Sequence, residues 1–116
     1  MKYKVEVVKI GDLVEELLGE NMLILFNSNA PEELAEISVL HTTNDLKEDV
    51  KPGDIIKIGD IEYSVTGVGS EANSTLKELG HCTLKFNGSS TPELPGIINL
   101  DGDIPNIKEG DTISIY

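Results

Sequence analysis

Val50-Lys51-Pro52-Gly53-Asp54-Ile55-Ile56-Lys57-Ile58-Gly59-Asp60-Ile61-Glu62-Tyr63-Ser64-Val65-Thr66 is the stretch that decides the fold class. It opens on a Pro-Gly turn signal, runs into a β-branched segment and breaks at Gly59-Asp60. Two residues between Ile58 and Ile61, the first a glycine, is the spacing of a type II′ hairpin. Beyond that turn Ile61, Tyr63 and Val65 alternate with Glu62, Ser64 and Thr66, the period of a half-buried strand. The pattern returns near the C-terminus. Ile107 to Ile115 and Val50 to Ile58 both read apolar-Lys-X-Gly-Asp-X-Ile-X-Ile. Each copy spans only nine residues, well short of a structural repeat of about 20 or more. It is one turn-plus-strand device used twice.

Outward from this stretch the chain stays mainly β. Residues 2–10 alternate, with Tyr3, Val5 and Val7 on one face and Lys4, Glu6 and Val8 on the other. Asp12 and Glu15 have capping-box spacing before Leu13, Val14, Leu17 and Leu18, and Gly19 fits a helix C′ position. Met22 to Phe26 is an apolar run of strand length. Pro31 suits the first position of a short helix, with Glu32 and Glu33 in its first turn. Ser38-Val39-Leu40-His41 is extended, and period two puts His41 on the face of Val39 and Ile37. Thr42 to Pro52 reads as a polar surface connection. Gly67 and Gly69 mark a bend or a close backbone approach. Ser70 is the expected N-cap of a helix over 71–79, with Gly80 at C′. Cys82 to Phe86 and Gly96 to Leu100 complete the strands, separated by a loop over 87–95.

The expected fold is therefore mainly β: a small closed or half-closed, largely antiparallel β-barrel with two or three short capping helices. Strands are not interleaved with long helices, which argues against a doubly wound parallel sheet. At 116 residues the chain makes one domain, 1–116, large enough to bury a core without disulfides or metal.

The net charge is −12, from 21 acidic and 9 basic residues. Nucleic-acid binding needs a positive footprint, so no nucleic acid is expected as a partner. A cationic protein partner suits this field, although acidity also serves solubility alone. The single cysteine, Cys82, rules out an internal disulfide and fits a reducing compartment. The first ten residues lack the apolar core of a signal peptide, and no apolar run approaches the ~20 residues of a spanning helix. A cytoplasmic location with no direct membrane insertion is the expectation.

Motifs for common cofactors are absent. There is no phosphate-cradling glycine loop and no zinc-ligand spacing, and Pro105 interrupts the partial calcium pattern of Asp101, Asp103 and Asn106. No cofactor and no metal are expected. The histidines remain. A neutral imidazole is a good nucleophile near pH 7, one nitrogen attacking while the other is held by a hydrogen bond. His41 ends a strand beside Thr42 and Thr43, which could orient the ring or hold phosphoryl oxygens. His81 follows Gly80, where a helix-capping role is the plain structural alternative. Cys82, as a strand neighbour, points away from His81, and small buried hydrophobe is its ordinary role. By these residues alone the chain is an acidic β domain with two candidate histidines.

Three stretches carry a family resemblance. They are Met22-Leu23-Ile24 with Ala30-Pro31; Pro52-Gly53 through Val65-Thr66-Gly67-Val68-Gly69-Ser70; and Leu76-Lys77-Glu78-Leu79-Gly80-His81-Cys82-Thr83-Leu84-Lys85-Phe86. Pro95-Gly96 and Gly110-Asp111 also fit. From about Met22 onward the chain resembles the glucitol/sorbitol-specific enzyme IIA component of the bacterial phosphoenolpyruvate-dependent sugar phosphotransferase system. Family members can carry a second histidine two residues after the first, where this chain has Thr43. The resemblance implies a cytoplasmic phosphocarrier. Phospho-HPr would donate to His41. His41 would pass the phosphoryl group to a cysteine of enzyme IIB, and the membrane IIC component would supply the sugar alcohol. It also implies that His81 could stabilise the phosphoryl group or fix the ring. A β-barrel binding or regulatory module that kept the fold without the relay, and a small hydrolase using His41 or Cys82, are the alternatives.

Overall fold

The two copies of the turn-and-strand device lie side by side. In the computed structural model, which describes residues 1–116, the Asp54 carboxylate accepts the Lys51 N–H at 2.9 Å and the Asp111 carboxylate accepts the Lys108 N–H at 2.9 Å. Gly53 and Gly110 bridge the two turns at φ 96° and 90°. Each turn feeds a strand, β4 (Ile55–Ile58) and β8 (Thr112–Ile115), and these two pair antiparallel with Ile56 opposite Ile115 and Ile58 opposite Ile113. Gly59, at φ 58°, starts the hairpin from β4 into β5 (Ile61–Val68), as the spacing requires.

The other strands are β1 (Tyr3–Ile10), β2 (Met22–Asn27), β3 (Ser38–His41), β6 (Cys82–Phe86) and β7 (Ile97–Asp101). They close a barrel in the order β1-β3-β2-β6-β7-β5-β4-β8, with β8 returning to β1 at Tyr3–Ile115. The sheet is mixed but largely antiparallel. Only β2/β3 and β6/β7 are parallel. A parallel pair needs a crossover; helix α2 (Glu32–Ala35) lies in the first, and the segment between Phe86 and Ile97 makes the second. Closure leaves no open sheet edge. The inward residues alternate as the sequence predicts: Tyr3, Val5 and Val7 of β1 are buried while Lys4, Glu6 and Val8 are exposed. An extra residue on β1, between the pairs Val7–His41 and Lys9–Leu40, shifts this phase by one, so that Ile10 rather than Lys9 packs against the core.

Helix α1 (Val14–Leu18) sends Val14 and Leu18 into the core near the end of β1, and α3 (Ala72–Leu79) sends Ala72 and Leu76 in from elsewhere. The expected side-chain caps do not form. Asp12 caps nothing; Leu13 occupies the N-cap of α1, and its N–H donates to the Glu36 carbonyl at 3.0 Å. Glu71, not Ser70, precedes α3, and its N–H donates to Pro95 at 3.0 Å. In both cases neighbouring backbone carbonyls satisfy early helix donors, so no side chain is needed. Pro31 sits one residue earlier than expected, at the N-cap of α2. Gly19 ends α1 in the right-handed region, and the left-handed residue beyond it is Asn21 at φ 62°. The connection over 42–52 is more than surface. Leu46 and Val50 are buried, and the Asn73 amide of α3 brackets Val50, accepting its N–H at 2.7 Å and donating to its carbonyl at 3.0 Å.

Asp54 also ties β1 to the first device through the Lys2 ammonium at 2.6 Å. Partial burial pushes its carboxyl up, but the Lys2 hydrogen bond, the Lys51 N–H and the two lysine charges together outweigh this and hold it below the usual 3.8. A depressed carboxyl contributes stability above its unfolded value and loses it as the pH falls through the folded one. Asp54→Asn is expected to cost up to ~1 kcal/mol at neutral pH. Urea unfolding at a series of pH values should show that gap closing only in acid, below the ordinary carboxylate range.

Candidate functional site

All four residues of β3 are buried, and His41, paired with the core residue Val7, is 0% exposed. Two carbonyl oxygens meet its ring. Nδ1 lies 2.7 Å from the Thr42 oxygen and Nε2 lies 2.8 Å from the Gly80 oxygen. A carbonyl only accepts, and a neutral imidazole carries one N–H. A neutral His41 therefore satisfies one contact and sets a lone pair against the other; the doubly protonated ring satisfies both.

The two carbonyls are held differently. Thr42 is pinned against β1, its N–H donating to Glu6 at 2.9 Å and its hydroxyl accepting the Glu6 N–H at 3.0 Å. That hydroxyl is thus committed to the backbone and does not orient the ring; the Thr42 carbonyl does. Gly80 is the single left-handed residue that ends α3, at φ 63°. It packs so closely that a Cβ placed there would fall 2.6 Å from His41 Cε1. Gly80 is in effect a cover on the imidazole, made of one peptide unit.

His81 comes next in the chain and is differently placed. It is half-buried, its ring lies against Phe26 at 4.8 Å and 34°, and Nδ1 is 3.0 Å from the Leu25 carbonyl. As an acceptor, that carbonyl calls for the proton on Nδ1, which leaves the Nε2 lone pair free. The sheet brings the two histidines to one region: Asn27 of β2 pairs with His41, and Leu25, two residues earlier, pairs with Cys82. Cys82 points into the barrel, and burial pushes its thiol up to about 12. A thiol so seldom ionised and so enclosed is no nucleophile.

A polar depression of about 430 Å³ adjoins His41, lined by Tyr3, Asn27, Thr43, Asn44, Asp45, Lys77, Glu78 and Gly80. Tyr3 stands edge-on to the His41 ring, centroids 6.2 Å apart at 87°. Burial, with a smaller contribution from Cys82, pushes its phenol up to about 12. A roomier depression of about 620 Å³ lies on the outer face of β1, β8 and β4 and includes none of the residues that contact His41. The sequence points to both histidines and to the turn at Gly80. It misses the Gly80 cover and Tyr3, which meet His41 only through barrel closure and the docking of α3, and Lys77, which α3 brings to the same depression. The one available signal was a glycine at C′ immediately before a histidine.

No helix is long and apolar enough to cross a membrane. The family description "PTS system glucitol/sorbitol-specific IIA component" matches residues 2–114, so the likeness extends through β1. Proteins named as glucitol/sorbitol-specific EIIA components from Shigella flexneri and Escherichia coli K12 are each 38% identical to this chain over 104 residues, covering 90% of it and 85% of the relative. A crystal structure of a PTS system IIA component from Enterococcus faecalis V583 superposes with a TM-score of 0.89 at 32% identity, covering 97% of this chain and 98% of that one. A fully buried histidine and a half-buried one at a single barrel region, in a chain matched over nearly its whole length, lead to one conclusion: this chain belongs to the glucitol/sorbitol-specific IIA components of the sugar phosphotransferase system.

Proposed function

We propose that the protein is a cytoplasmic phosphocarrier that takes a phosphoryl group from phospho-HPr onto His41 and gives it to a cysteine of enzyme IIB, serving sorbitol/glucitol uptake through the membrane IIC component. The observation that supports it best is the unequal anchoring of the His41 ring. Nδ1 faces the Thr42 carbonyl, fixed by two bonds to Glu6; Nε2 faces the Gly80 carbonyl, which belongs to a one-residue turn. Nδ1 keeps its proton and its anchor. Nε2 becomes the nucleophile when the Gly80–His81 peptide turns aside, a move that gives up the 3.2 Å bond from the His81 N–H to Thr75. In the first transfer the N–P bond to the HPr histidine breaks as one forms to Nε2. In the second, that bond breaks as an S–P bond forms. Positioning does most of what such an in-line transfer requires. Neither step needs a nucleotide or a sugar in this site.

A second reading follows from His81. Its Nδ1 is already anchored, no hydrogen bond occupies its Nε2, and the residue is only half-buried. It is the better nucleophile in the resting geometry, whereas the family resemblance favours His41.

Labelling with phosphoenolpyruvate, enzyme I and HPr separates the two. The expected product is an acid-labile, base-stable phosphohistidine that mass spectrometry maps to His41. His41→Ala should accept none, and His81→Ala should accept more slowly. Label retained by His41→Ala and lost by His81→Ala would transfer the carrier role to His81. No label on wild type would leave a binding module on this fold.

A further inference from the structure

His41 touches no solvent, so a phosphoryl group built on it needs space beside the ring. The 430 Å³ depression offers that space through shared residues. Gly80, whose carbonyl covers Nε2, lines it; so does Tyr3, edge-on to the imidazole; so does Asn27, the strand partner of His41. We propose that this pocket receives the phosphoryl group carried on His41 Nε2, with the Lys77 ammonium contacting its oxygens and the Tyr3 hydroxyl donating a hydrogen bond to them. The proposal rests on His41 being the carrier.

Charge singles out Lys77. It is the one cation lining the pocket, against two carboxylates, Asp45 and Glu78. The ion pair of this chain is Lys2–Asp54, so Lys77 is free of a carboxylate partner, and it is exposed on the last turn of α3. A phosphoryl group brings a charge of about −1.5 to −2 near pH 7. Without Lys77 every charged group lining the pocket would repel it. With Lys77 the lining still sums to −1 (one cation less two carboxylates), too weak to hold phosphate in the resting state. That balance suits a group that must be accepted and then released. Tyr3 keeps its proton far above neutral pH, so its hydroxyl is a donor throughout the working range.

The test is Lys77→Gln, with Lys77→Arg as the charge-retaining control and Tyr3→Phe as the second variant. The full-length protein is phosphorylated through HPr, the label is mapped, and the transfer rate is measured. The phosphoryl group is then titrated by 31P NMR in the isolated phosphoprotein, where docking of HPr plays no part. Lys77→Gln should slow acceptance by about ten- to a hundredfold and raise the titration midpoint of the phosphoryl group. Lys77→Arg should restore both, and Tyr3→Phe should move the 31P titration in the same direction by less. Label on His41 with an unchanged titration in Lys77→Gln overturns the contact, even if the rate falls, because that pattern means Lys77 meets HPr instead. Label on His81 overturns the His41 reading and this one with it, and the mapping tells these failures apart.

Discussion

Gly80→Ala is expected to leave a barrel that folds but no longer accepts a phosphoryl group on His41. Two physical costs meet at this residue. The backbone stands at φ 63°, a left-handed conformation that costs a side-chain-bearing residue about 1–2 kcal/mol. The new methyl would also lie 2.6 Å from His41 Cε1, closer than carbon atoms tolerate, and 3.2 Å from Asn27 Cβ, a tight contact. The imidazole must rotate off its Nδ1–Thr42 anchor, or the turn must shift and change the cover that has to open over Nε2. A one-ångström misplacement at a reacting atom can cost about a hundredfold in rate. Gly88→Ala is the comparison that separates the two costs. Gly88 has φ 64°, and a Cβ there comes no nearer than 3.3 Å to an Asp101 carboxylate oxygen, remote from both histidines. Thermal unfolding should show both variants destabilised, Gly80→Ala the more so. Phosphoryl transfer from phospho-HPr should fail only in Gly80→Ala. Normal labelling of His41 in that variant would mean that Gly80 does not control the ring.

Gly69→Ala is expected to be the more damaging substitution for stability. A Cβ on Gly69 would sit 2.2 Å from the Pro95 carbonyl oxygen and 2.8 Å from that of Leu94. Both are backbone atoms, so no side chain can rotate away. The same junction holds the Gly69 N–H to Ile97 at 2.7 Å and the Glu71 N–H to Pro95 at 3.0 Å. The start of α3 and the entry to β7 are therefore fastened at one point. Overpacking of this kind typically costs ~1–3 kcal/mol, and the rigid neighbours put Gly69→Ala at the upper end or beyond. Urea denaturation should show a lower midpoint than for Gly88→Ala. The effect should reach the site as slower phosphoryl transfer, because α3 carries both Lys77 and the Gly80 turn. A variant with a wild-type midpoint would show that the 94–95 segment can retreat without cost.

These two glycines also mark how far the sequence could be read. Gly69 was legible as a close backbone approach and Gly80 as a helix C′ residue, because a missing side chain records a steric demand. What each approaches was not legible: Pro95 is 26 positions from Gly69, and His41 is 39 from Gly80. The strands were legible because period-two alternation reports a half-buried sheet, and the hairpin at Gly59-Asp60 because a two-residue turn fixes its own register. The two parallel pairings left no such mark, since crossover partners share no local turn. The helix caps failed for a related reason: distant carbonyls of Glu36 and Pro95 hold the N–H groups of Leu13 and Glu71 and so start each helix one residue beyond Asp12 and Ser70. His41 was legible as a candidate through its residue type and strand-end position. Its complete burial, and the two carbonyls that hold it, were properties of the closed barrel alone.

Closure by β8 also imposes an order on events in the growing chain. This strand pairs with both β1 and β4, so neither edge is covered until residues 112–115 have emerged. Until then β1, and β4 once residues 55–58 have emerged, expose unpaired N–H and C=O groups along apolar, β-branched segments, the conditions under which chains add to one another. The pairings that end this interval join distant parts of the sequence and so form late. A net charge of −12 gives nascent copies a mutual repulsion over that interval. The acidity that suits a cationic partner and keeps the folded chain in solution is thus also a safeguard against self-association while the last strand is awaited.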